Sequence, residues 1–132
     1  MKFLSIFTLP QSQLTPPTPD EMAAMDRLVE ESIASGVIIS TGMFPFPGAG
    51  FRIQRENGVC AVSDLIPDPN AVRCGYGLIQ AETREDAIRI AERFLVHVGQ
   101  GTCEVIELAV AATRGPVFGD VDLKPARREQ VA

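Results

Sequence analysis

The residue types able to do chemistry are few in this chain, and most lie between Phe44 and Tyr76. Asp64 is the leading candidate. A carboxylate at a strand end beside an apolar cleft has its proton affinity raised by desolvation, which suits a general acid or base. The same carboxylate suits a local role equally well, capping the turn before Pro67 through its side-chain oxygen. Arg52 fits an anionic ligand group if it shares that cleft, and fits an ordinary pairing with a nearby carboxylate if it does not. Tyr76 stands between Gly75 and Gly77, where its ring is placed to cover a ligand or to pack in a core with its hydroxyl satisfied. Phe44 and Phe46, set among prolines, are read as pocket lining or as a contact between two copies of the chain.

Other chemistries find little support. His97 is the single histidine, and on a helix it falls about 100° from the centre of the apolar face. Near a helix C-terminus a protonated imidazole is favoured by the dipole and needs no further role. No carboxylate–histidine spacing suggests a metal site, and no motif suggests Ser-His-Asp catalysis. Gly48-Ala49-Gly50 lacks the third glycine and the following helix of a dinucleotide loop. No cofactor is expected.

Composition narrows the class. The chain has 132 residues, 45% hydrophobic and 22% charged, as in an ordinary globular domain with one core. A net charge of −5 with scattered basic residues argues against nucleic acid, whose phosphates call for clustered Lys and Arg. No run approaches the roughly 20 apolar residues of a membrane span. Met1–Leu9 is too short and too interrupted for a signal peptide. Cys60, Cys74 and Cys103 form no CxxC pair, as expected of thiols in a reducing compartment. The expected address is cytoplasmic.

Clear local signals mark the elements that must position these residues. Lys2–Thr8 alternates as a strand, and Pro10–Pro17 reads as a surface connector. Thr18, Pro19 and Glu21 compose a capping box with proline at the first helical position, and Met22, Met25, Val29 and Ile33 follow on one face. Gly36 suits the position past the helix end. Val37–Ser40 reads as a short strand. Asn57-Gly58 between alternating runs predicts a hairpin with arms Phe51–Arg55 and Val59–Ser63. Val72–Ala81 is a longer strand. Thr83 caps a second helix, with Ala87, Ala91, Phe94, Leu95 and Val98 on its inner face, and Cys103–Ala111 closes the series as a strand.

The order of these signals resembles the YciI-like, or DGPF, family of small α+β proteins. Pro19-Asp20-Glu21-Met22-Ala23-Ala24-Met25 matches its helix start, Arg52 and Asn57-Gly58 its arginine-bearing hairpin, and Asp64 the aspartate of its signature. Cys74-Gly75-Tyr76-Gly77-Leu78-Ile79-Gln80 and Arg84-Glu85-Asp86-Ala87 match its glycine-aromatic strand and second helix start. The resemblance covers roughly residues 1–110. One departure stands out: Leu65-Ile66-Pro67 follows Asp64 where the family has Gly-Pro-Phe. Some YciI-like proteins carry a His-Asp pair proposed as catalytic, but His97 does not match that histidine's early-strand position.

Two strand–helix–strand units around a hairpin imply an α+β, ferredoxin-like plan: an antiparallel-rich sheet with both helices on one face. The other face needs cover, and isologous pairing into a dimeric α/β barrel supplies it. The expectations are therefore a domain over residues 1–111, a C-terminal extension over 112–132, and a homodimer that binds a small molecule or partner. The alternative is a small enzyme with Asp64 as general acid or base in a cleft with Arg52, Tyr76, Phe44 and Phe46.

Overall fold

The computed structural model describes residues 1–45 and 50–109. Six strands and two helices follow in the order β1 (Lys2–Leu9), α1 (Pro19–Ala34), β2 (Ile38–Met43), β3 (Phe51–Glu56), β4 (Val59–Asp64), β5 (Val72–Gln80), α2 (Arg84–Val98) and β6 (Thr102–Leu108). One 3₁₀ turn, Gln11–Gln13, lies in the first connector. The class is mixed α+β with antiparallel pairing throughout.

Both helices start where side-chain oxygens meet otherwise orphaned amides. The Thr18 hydroxyl accepts from Glu21 N–H at 3.1 Å, and the Glu21 carboxylate accepts from Thr18 N–H at 3.3 Å. The Thr83 hydroxyl likewise accepts from Asp86 N–H at 3.1 Å. The helices stop where the backbone turns left-handed, at Gly36 (φ 82°) and Gly99 (φ 121°).

A four-stranded sheet, in the order β2-β5-β1-β6, carries the core. Along β1 burial alternates strictly: Phe3, Ser5, Phe7 and Leu9 are buried, and the residues between them are half-buried. Phe3 and Phe7 meet Ile79 and Ile38 in the sheet, and Leu28 of α1 with Ala87, Ala91 and Phe94 of α2 above it. Both helices therefore cover this one face. The opposite face bears Leu4, Ile6, Tyr76, Leu78, Ile106 and Leu108, brought side by side by the register of β5, β1 and β6, and among the described residues no helix lies on it.

The buried face of α1 is rotated from the expected one. Leu28 and Ser32 are buried with Met25 and Val29 packed beside them, whereas Met22 (48%) and Ile33 (50%) are half out in water. Apolar spacing at 22, 25, 29 and 33 and at 25, 28, 29 and 32 both satisfy the helical period. The inner face of α2 is as expected: Ala87, Ala91 and Phe94 are buried, and Leu95 and Val98 pack beside them.

Strands β3 and β4 form a separate two-stranded sheet, joined by Asn57 (φ 52°) and Gly58 (φ 79°) in the left-handed region that a two-residue hairpin turn requires. Every residue from Phe51 to Asn70 is exposed. The hairpin is inserted between β2 and β5, which are antiparallel neighbours that a tight turn would connect. The expected extension over 112–132, and the expected last two residues of the final strand, lie outside the described residues.

Candidate functional site

A polar and aromatic cluster sits where β2 meets β5, on the sheet face opposite the helices. Tyr76 is register partner to Gly42, and a Cβ on Gly42 would stand 2.7 Å from the Tyr76 ring. The edge of the ring therefore occupies the space beside a glycine of an edge strand. Its hydroxyl shares a 2.8 Å hydrogen bond with the Ser40 hydroxyl, and the Thr41 hydroxyl donates to the Tyr76 carbonyl at 2.7 Å. Phe44 stacks beside it, with centroids 6.2 Å apart and planes inclined by 22°. The Phe44 amide donates to the Cys74 carbonyl at 3.1 Å, which holds that ring against β5.

Gly75 and Gly77 have a different role from the one their flanking of Tyr76 suggests. Strand alternation turns them to the helix side, away from the Tyr76 ring. A side chain on Gly77 would meet the Ser5 hydroxyl at 2.9 Å, and one on Gly75 would meet the Gly42 carbonyl at 2.8 Å. These glycines serve close packing below the sheet. The space above it comes from Gly42, which residue order does not point to.

Arg52 and Asp64 are both exposed on the hairpin, and they project to opposite faces of it. Arg52 pairs in register with Ser63, while Asp64 pairs with Phe51. The turn that follows is closed by Asp68, whose carboxylate accepts from Asn70 N–H at 2.9 Å. Phe46 lies outside the described residues. The structure thus brings Tyr76 and Phe44 together and separates Arg52 from Asp64 across the hairpin.

Two concave regions stand out among the described residues, and neither is lined by Asp64, Arg52, Tyr76 or Phe44. A void of about 10 Å³ sits in the core among Ser5, Phe7, Thr41, Ile79 and Phe94, with room for a water molecule at most. A groove of about 450 Å³ opens where β1, β5 and β6 reach the same sheet edge, bounded by Thr8, Pro10, Asn70, Gln100 and Glu104. Turn formers at the ends of three strands signal it, once those strands are known to be neighbours. It is wide, lined by polar and apolar surface in similar measure and without an aromatic wall, unlike the enclosed apolar sites that hold small molecules.

The cysteines are free thiols. Burial pushes the Cys74 thiol above its ordinary range, its own backbone hydrogen bond opposing the shift in part. Its sulfur donates to the Phe7 carbonyl at 3.2 Å, at a bulge in the β1–β5 ladder. Burial, with Cys74 and Glu104 adding negative charge nearby, pushes Cys103 up to about 11. Neither is an activated nucleophile, since reactivity needs the thiolate. Cys60 is exposed on the hairpin. Among the described residues no group of three or more His, Cys, Asp or Glu is placed to hold a metal ion, and no helix is long and apolar enough to cross a membrane.

No family model matches the chain, and no curated protein matches it.

Proposed function

We propose that this protein is a homodimeric binding module of the YciI-like kind, pairing through the uncovered sheet face and holding a small planar organic ligand against Tyr76 and Phe44. One observation carries the reading: a sheet face bearing Leu4, Ile6, Tyr76, Leu78, Ile106 and Leu108 with no helix on it. A contiguous apolar surface that no described residue covers marks a place of association. The strand order β2-β5-β1-β6, with a helix crossover in each half, supports the ferredoxin-like plan and, with two copies, a shared barrel-like interior. Tyr76 and Phe44 would face that interior, offering an aromatic platform with a hydroxyl beside it. Three free thiols suit a reducing, cytoplasmic compartment.

The test has two arms. Light scattering at micromolar concentration is expected to give twice the chain mass, and a monomer mass would sink the pairing. A thermal-shift screen of aromatic and other planar organic acids is expected to yield hits that Tyr76→Ala abolishes and Asp64→Asn preserves. Hits lost with Asp64→Asn and kept with Tyr76→Ala would favour an enzyme built on Asp64.

A further inference from the structure

Among the described residues, the hairpin is a second uncovered apolar surface. Side chains paired in register share a face. Phe51, Ile53 and Arg55 therefore lie with Asp64, Val62 and Cys60 on one side, and Arg52, Gln54 and Glu56 with Ser63, Ala61 and Val59 on the other. The first side is apolar along its middle, and its large residues stand in water: Phe51 63%, Ile53 59% and Val62 67% exposed. A two-stranded hairpin alone is marginal in water and needs its apolar side covered. Among the described residues, neither helix and no strand of the main sheet makes more than a marginal contact with it.

Charge placement guides the assignment of its cover. The apolar side of the hairpin ends in opposite charges, Asp64 at its base and Arg55 toward its tip. Since Asp64 pairs with Phe51, four residues before Arg55, these charges stand about 13 Å apart along the strands. On the uncovered sheet face, Lys2 and Glu104 bound the apolar patch of Leu4, Ile6, Ile106 and Leu108. Glu104 pairs with Ile6, four residues beyond Lys2, so the spacing there is also about 13 Å. The two surfaces match in length and in apolar middle, and their end charges are opposite in sign.

We infer that the two copies exchange hairpins: each lays Phe51, Ile53 and Val62 on the β1–β6 half of its partner's sheet, with Asp64 toward the partner's Lys2 and Arg55 toward the partner's Glu104. This inference rests on the dimer proposed above and specifies its contacts. It leaves the β2–β5 half, with Tyr76 and Phe44, lining the enclosed space. It also accounts for an insertion between two strands that a tight turn would join.

The experiment uses the full chain, with the dimer dissociation constant from sedimentation velocity and Cys60 alkylation by iodoacetamide followed by mass spectrometry. Ile53→Asp, present twice per dimer, is expected to weaken association at least about 100-fold, while helix content by circular dichroism stays unchanged. Arg55→Glu is expected to weaken it about fivefold, as two rim pairs lost and made repulsive, and adding Glu104→Arg should restore it to within about twofold. Cys60, on the covered side, should react at least about tenfold more slowly in the dimer than in dilute monomer or in Ile53→Asp. A dimer indifferent to Ile53→Asp and Arg55→Glu, with Cys60 as reactive as in the monomer, overturns the exchange and leaves the dimer standing. Equal protection of Cys60 at every concentration places the hairpin on its own sheet and also overturns it. A wild-type monomer overturns both.

Discussion

The helix-backed side of the sheet and the β3–β4 hairpin are both apolar along one face, yet they stand in opposite conditions. Phe94 is 6% exposed within a cluster drawn from both helices and the sheet, whereas Ile53 is 59% exposed. Both regions have clean periodicity, 3.6 in α2 and 2 in the hairpin arms. Periodicity shows that an element has an apolar side. It does not show whether that side is covered from within the chain. In the first region the cover is α1 and α2; in the second, no described residue supplies it.

The comparison breaks most readily under truncation. Phe94→Ala is expected to cost about 3–5 kcal/mol of unfolding free energy, because the cavity it leaves would join a core already holding a small void. Val59→Thr, on the polar side of the hairpin, is expected to stay within about 0.5 kcal/mol. Urea midpoints on the two variants check this, and a hairpin cost equal to the core cost would erase the distinction.

An intermediate effect is expected on the sheet face opposite the helices. Gly42→Ala would drive the Tyr76 ring from its seat and break its bond to Ser40, at about 1–2 kcal/mol. The chain has one tyrosine and no tryptophan, so near-ultraviolet dichroism of that ring reports the displacement directly. An unchanged tyrosine signal would show that Gly42 is not what seats the ring.

The smallest effect is on alkaline stability. Cys103 titrates near 9 as a free thiol and is pushed up to about 11 in the fold. The fold therefore binds this proton more tightly than the unfolded chain does. The stability this contributes is whole below pH of about 9 and is lost as pH rises toward 11. Unfolding followed across that window is expected to show a shallower decline in Cys103→Ser than in the wild type. An unchanged decline in Cys103→Ser would remove burial of this thiol as the cause.

Much of the framework was legible because its signals are local. The Thr18–Glu21 box, the Thr83 cap and the Asn57-Gly58 turn each act over three or four residues, through backbone amides or a left-handed dihedral that few residue types accept. Those features fixed both helix starts and the hairpin. Alternation in Lys2–Leu9 fixed which of its residues share a face, though not which face the helices would cover.

Tertiary structure decided the rest, because each remaining question depends on a partner far along the chain. Two apolar stripes on α1 satisfy the same period, and only packing against the sheet chose Leu28 and Ser32 over Met22 and Ile33. Tyr76 seats on Gly42 because an inter-strand register places them opposite, while its sequence neighbours Gly75 and Gly77 serve the other face. Asp64 and Arg52 project to opposite faces because a one-residue difference in register reverses a side chain. Caps and tight turns are written in adjacent residues; faces and registers are settled by contacts between distant ones.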